Sequence, residues 1–128
     1  MNVCIVEDSV HIQERLKNMI EQFPEIHVSS IAGDLATATR LILKNNEYVE
    51  DTEEVQAVIL DTQLPDGNSL GLLKTIKASI PTIKVVVFSN HADEECRKLA
   101  MRAGADSFLD KSTDSDQLIP LLQLWLHN

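Results

Sequence analysis

Short apolar runs alternate five times with longer stretches of helical periodicity, and this alternation narrows the fold more than any other feature. The strands expected are Asn2–Val6, Val28–Ala32, Gln56–Asp61, Ile83–Ser89 and Ser107–Asp110. The first, third and fourth hold unbroken apolar runs, as in Val58-Ile59-Leu60 and Val85-Val86-Val87-Phe88, which suit strands buried on both faces. Between them, apolar residues recur at helical spacing. Ile12, Leu16, Met19, Ile20 and Phe23 form one stripe, behind Asp8 or Ser9 as cap and ahead of Pro24. Leu35, Ala38, Leu41 and Ile42 mark a second helix, about Leu35 to Lys44. Leu72, Leu73, Ile76 and Ile80 mark a third, from about Ser69 to Ser79, stopped by Pro81. Cys96, Leu99, Ala100 and Ala103 define a fourth over Asp93–Ala103, with Gly104 as its C′ residue. The last, about Asp116 to Leu126, carries Leu118, Leu121, Leu122 and Trp125, with Pro120 in its first turn or kinking it. Strands that alternate with such helices make a parallel sheet covered on both faces: an α/β, doubly wound (βα)5 domain.

The length of 128 residues suits one domain, expected over 1–128 with no output domain. A hydrophobic share of 44% supports a real core, which 4% aromatics makes aliphatic. Twenty acidic residues against 11 basic ones give a net charge of −9, which argues against direct nucleic-acid binding. Cys4 and Cys96 read as small core residues of a reduced, cytoplasmic protein rather than a disulfide framework. No signal peptide or membrane span is evident. The acidic stretch Asn45 to Glu54 reads as a helix end and a solvated loop.

Ligands of open α/β sheets bind at the carboxyl ends of the strands. There the chain places Glu7 and Asp8 after the first strand, Asp61 at the end of the third, Ser89 at the end of the fourth and Lys111 after the fifth. Singly, each has an ordinary reading: the acids and Ser89 as caps, Lys111 as a surface lysine. Together they recur at one rim. Packed carboxylates repel one another unless a cation sits among them, and hard oxygen donors with room for water suit Mg²⁺. A central carboxylate can act as a nucleophile towards phosphorus, and an ammonium and a hydroxyl can hold phosphoryl oxygens.

Glu7-Asp8, Asp61 with Pro65 four residues on, Ser89, and Lys111 preceded by Phe108 resemble the CheY-like receiver domain of bacterial two-component response regulators. Ala103-Gly104-Ala105-Asp106-Ser107-Phe108 is similar to the family's stretch before its lysine. The resemblance covers about Val3 to Leu126. It implies a flavodoxin-like sandwich whose five-stranded parallel sheet runs in the order 2-1-3-4-5. It also implies a stand-alone phosphorelay switch rather than an enzyme acting on a separate substrate. In that reading Asp61 accepts a phosphoryl group from a histidine kinase or phosphotransfer protein. Glu7, Asp8, Asp61 and the backbone carbonyl of Gln63 hold Mg²⁺. Lys111 pairs with the phosphate, Ser89 moves to bond one of its oxygens, and Phe108 rotates inward behind it. The face made by the fourth helix, fifth strand and fifth helix then signals to a downstream protein. Gln63 and His91, beside the site, tune phosphate loss.

Two departures stand out. Ser69 occupies a place where the family often has glycine, and Ser112, not proline, follows the lysine, which leaves the Lys111–Ser112 bond either trans or a costly cis. An Mg²⁺-dependent aspartyl-phosphate phosphatase is an alternative, but the second Asp that such enzymes usually place two residues on is Gln63 here. A degenerate receiver acting as a scaffold is another. The last helix is apolar off its main stripe, at Ile119, Leu124 and Leu126, which makes it a candidate homodimer or partner face.

Overall fold

The computed structural model describes residues 1–43 and 54–127. The expected end of the second helix at Lys44, and all of the acidic stretch except Glu54, lie outside them. Five parallel strands carry the fold: β1 (Asn2–Val6), β2 (His27–Ala32), β3 (Ala57–Leu60), β4 (Lys84–Ser89) and β5 (Ser107–Asp110). Their order is β2-β1-β3-β4-β5, as expected. The helices are α1 (Val10–Ile20), α2 (Leu35–Leu43), α3 (Leu70–Ser79), α4 (Glu94–Arg102) and α5 (Leu118–Leu126).

Alternation along the strands divides the core in two. Cys4, Val6, Val58, Leu60, Val85 and Val87 pack with Ala38 and Ile42 of α2, Leu72, Leu73 and Ile76 of α3, and Ala100 of α4. Val3, Ile5, Ile59, Val86, Phe88 and Leu109 face the other way, against Leu16 and Ile20 of α1 and Leu118 and Leu122 of α5. Full burial of each such aliphatic side chain is worth about 1.5–3 kcal/mol, so this two-sided sheet carries much of the driving force for folding.

The helix ends follow local chemistry. Ser9, not Asp8, caps α1: its hydroxyl accepts from the Ile12 amide at 3.4 Å. The helix ends at Ile20, earlier than its apolar stripe, and Phe23 packs half-buried beyond it. Asp93 caps α4, accepting from the Cys96 amide at 2.8 Å. A short 3₁₀ turn (Ser115–Gln117) precedes α5, and Pro120 falls in the first turn of that helix. There its missing N–H costs nothing.

Two expectations change. Leu99 is 41% exposed and Cys96 only half-buried, because α4 meets the sheet through the small Ala100 and the following Ala103 in its C-terminal turn. Cys4 is a core residue as expected; Cys96 is not. After β3, the chain makes a small antiparallel hairpin, pairing Gln63 with Asn68 and Leu64 with Gly67 around the Pro65-Asp66 tip. Gly67 takes a φ of +139° there, open to glycine and poorly available to other residues.

Candidate functional site

Strand register builds the site. Val6 pairs with Leu60, so the next residues, Glu7 and Asp61, leave the sheet side by side. The Asp61 amide is fixed to the Val6 carbonyl at 3.0 Å, and the Glu7 amide to the Ala32 carbonyl at 2.9 Å. On the far side Ser89 pairs with Asp110, and the Lys111 amide donates to the Ser89 carbonyl at 3.0 Å. Three strand ends thus deliver two carboxylates and an ammonium to one place.

Side chains complete the convergence. The Lys111 ammonium donates to Asp61 Oδ2 at 2.8 Å and to Glu7 Oε1. Glu7 is 3% exposed and Asp61 8%, while Asp8 stands open to solvent. One carboxylate oxygen from each of Glu7, Asp8 and Asp61 lies within 4.8 Å of the others. Burial pushes the Glu7 carboxyl above its ordinary value; the Lys111 bond and charge pull it back, and the Asp61 charge raises it. Burial works against the Lys111 charge, but the bonds to Asp61 and Glu7 outweigh it and hold the ammonium above its ordinary value. The set is a compact acidic pocket with one wet edge and a single ammonium across it.

The remaining expected residues lie close by. Ser89 is fully buried, and its hydroxyl accepts from the His91 amide at 3.0 Å. His91 itself is an exposed loop residue. The Gln63 amide donates to Asp61 Oδ1 at 3.3 Å, closing a local turn at the start of the hairpin. Phe108 is buried on β5, with the Arg97 guanidinium 4.7 Å from its ring centroid. The Lys111–Ser112 bond is trans. Ser112 donates through its amide (2.8 Å) and hydroxyl (2.6 Å) to Asp110 Oδ1, which fixes the chain just past the lysine.

Other residues here were not singled out as site residues from the sequence. Ser69, noted only as a departure, is fully buried and donates to the Asp61 carbonyl at 2.7 Å. It holds the backbone of the central carboxylate from behind. Thr62 is buried, with its hydroxyl 2.7 Å from that of Ser89. Arg97 reaches from α4 over Phe108, donates to the Ala92 carbonyl at 3.1 Å and pairs with Asp114 at 3.6 Å. Asp66, at the hairpin tip, accepts from the Leu35 and Ala36 amides at 2.8 and 3.1 Å. It thereby ties the loop after Asp61 to the first turn of α2. A hydroxyl directly after the Asp61 strand end was a readable signal for Thr62. Nothing in the spacing pointed to Arg97.

Residues 3–123 match the family model of the response regulator receiver domain. The transcriptional regulatory protein DegU of Brevibacillus brevis is 26% identical over 124 residues, 97% of this chain and 49% of DegU. The chain spans about half, or less, of the length of such curated relatives. Two solved structures share the fold. One is a two-component response regulator of the LuxR family from Aurantimonas sp. SI85-9A1, with TM-score 0.83 and 22% identity over 98% of this chain and 84% of that one. The other is the BeF3-activated DrrB receiver domain, with TM-score 0.79 and 20% identity over 99% and 97%. A match that runs from β1 into α5 and includes every residue of the acidic rim makes this chain a member of the response regulator receiver domain family.

Proposed function

We propose that this chain is a phosphoryl-accepting signalling switch, with Asp61 as the acceptor. The observation that carries the reading is the pairing of a nearly buried Asp61 with Lys111 at 2.8 Å, beside Glu7 and Asp8. An Asp61 oxygen attacks the phosphorus of a phosphohistidine on a histidine kinase or phosphotransfer protein. The P–N bond breaks, a P–O bond forms, and the imidazole leaves. Asp61 is set for this by rigid sheet on one side and by the Ser69 hydroxyl on the other.

The acidic set fits Mg²⁺: hard oxygen donors lie within 4.8 Å of one another, and Asp8 leaves a side open for water. Glu7, Asp8 and Asp61, with the backbone carbonyl of Gln63, would hold the ion. Bound there, Mg²⁺ supplies positive charge that offsets the carboxylates and the incoming phosphoryl oxygens. Lys111 trades its present carboxylate contacts for a phosphoryl oxygen. Ser89 turns its hydroxyl to another, Phe108 follows into the space behind it, and the α4–β5–α5 face changes shape. The phosphoryl contacts exist in only one of the two arrangements, which is the source of the bias. Gln63 and His91 flank the site and set how readily water removes the phosphoryl group. The altered face addresses a downstream protein or a second copy of the chain.

Incubation with acetyl phosphate and Mg²⁺ is expected to add one phosphoryl group by intact mass, and Asp61→Asn to abolish it. Labelling that persists in Asp61→Asn would overturn the assignment.

A further inference from the structure

We propose that Thr62 is a positioning residue which holds the Ser89 hydroxyl while Asp61 carries no phosphoryl group, and so sets how readily the switch engages. The inference rests on the reading of Asp61 as phosphoacceptor and deepens it. Neighbouring strands make the pairing possible. Leu60 of β3 lies in register with Val87 of β4, so the residues two further on, Thr62 and Ser89, reach the rim level with each other. Both are buried, and their hydroxyl oxygens are 2.7 Å apart. The His91 amide donates to the same Ser89 oxygen at 3.0 Å. Ser89 is therefore gripped from two sides by groups other than Asp61.

The chemistry makes Thr62 and a phosphoryl group competitors. Phosphoryl oxygens accept hydrogen bonds, so Ser89 reaches one only by donating, and its hydroxyl has a single proton. With Ser89 as donor to Thr62, that proton is already spent. With Thr62 as donor, Ser89 is still fixed in a buried bond that must break before it turns. In both cases the unphosphorylated state holds a contact that the phosphorylated state gives up. A valine at position 62 would keep the shape and remove the competitor. Where Ser89 is the donor, its buried proton would then lack an acceptor until the phosphoryl group arrives, and such a missing partner is costly; where Thr62 is the donor, the bond that holds Ser89 in place is gone.

The test uses beryllofluoride with Mg²⁺ as the phosphoryl mimic, followed by calorimetric titration. Thr62→Val is expected to bind it about threefold to tenfold more tightly than the unmodified chain, the range for one net hydrogen bond. Thr62→Ser, which keeps the hydroxyl, is expected to bind as the unmodified chain does. In a Ser89→Ala background, Thr62→Val is expected to change nothing, an outcome a general packing effect would not give. Unchanged or weaker binding by Thr62→Val, or an equal gain in the Ser89→Ala background, overturns the role of Thr62. Thr62→Ala, which also removes the hydroxyl, gives the same reading should the valine variant not fold. Asp61→Asn separates the two levels of the argument. If it still binds the mimic, the phosphoacceptor assignment fails and takes the Thr62 role with it. If it does not, a failure of the Thr62 variants falls on Thr62 alone.

Discussion

Lys111 is the residue on which the charge balance of the rim turns. Its ammonium touches Glu7 and Asp61 together, and both are nearly buried. Its pKa is raised in the folded chain, so its stabilising contribution is complete below the ordinary value of 10.5 and is lost as pH rises through the folded value. Glu7 shifts stability in the same direction, but in the acid range. Burial raises its carboxyl above the ordinary 4.5, so ionising it costs stability as pH climbs through that raised value. Lys111→Met removes the group that pulls Glu7 down. We expect a loss of up to about 3 kcal/mol at neutral pH, as for a broken buried pair, which shrinks as pH falls and Glu7 takes up its proton. Urea unfolding of both proteins with EDTA, at pH 7 and again nearer pH 5, reads this directly; a loss that stays constant or grows on acidification would contradict it. The carboxylates and Lys111 were legible in the sequence because each stands directly after an apolar strand, a one-dimensional signal. The Thr62 hydroxyl beside Asp61 was readable too, but Thr62 and Arg97 meet partners on other elements, Ser89 on β4 and Phe108 on β5, and no spacing rule encodes such a pairing.

Among the elements, α4 shows how local chemistry terminates a helix and what the sequence can say about it. The Gly104 amide bonds the Met101 carbonyl, and the Ala105 amide bonds that of Ala100, both at 3.1 Å, with Gly104 at a φ of +108°. This pair of bonds is a Schellman stop, and its glycine was readable from the end of the apolar stripe. A Cβ at position 104 would also lie 2.9 Å from Cγ of Lys77. That side chain has little freedom to yield, because its ammonium is bonded to the Pro81 and Ile83 carbonyls and to Asp106. Gly104→Ala is therefore expected to cost at least about 1 kcal/mol from backbone strain, before the collision with Lys77 is added. An unfolding midpoint equal to that of the unmodified chain would contradict this. Strand positions were legible for a related reason: apolar runs of strand length stand between helical stripes, and of the few topologies such an alternation leaves, the family resemblance picked out the sheet order. The burial of Leu99 was misjudged, because periodicity gives the face of a helix and not which turn of it meets the sheet. The hairpin after Asp61 was seen only as a turn, since strands of two residues carry no periodicity to detect.

At the scale of the molecule, the sheet order decides where a signal could leave. β5 is an edge strand, with α4 on one face of the sheet and α5 on the other, so the three form one continuous border. Arg97 crosses that border, from α4 over Phe108 to Asp114 in the turn before α5. A shift of Phe108 would thus be felt by both helices. The border is also apolar in places: Leu99 and Met101 on α4 are 41% and 48% exposed, and Leu124 on α5 is 58%. Scattered exposed apolar residues are ordinary, and a net charge of −9 sets two copies against each other. These two facts oppose dimerisation of the unphosphorylated chain. A dimer through the last helix would then depend on reshaping of the border and on screening, which at about 0.15 M salt confines surface repulsion to roughly 8 Å. Sedimentation velocity is expected to give a monomer without beryllofluoride at every salt concentration. With beryllofluoride and Mg²⁺, a dimer should strengthen as salt rises, and Leu124→Asp should return it to monomer. A monomer throughout, or a dimer equally strong without the mimic, would exclude this use of α5 and leave the border to a different protein.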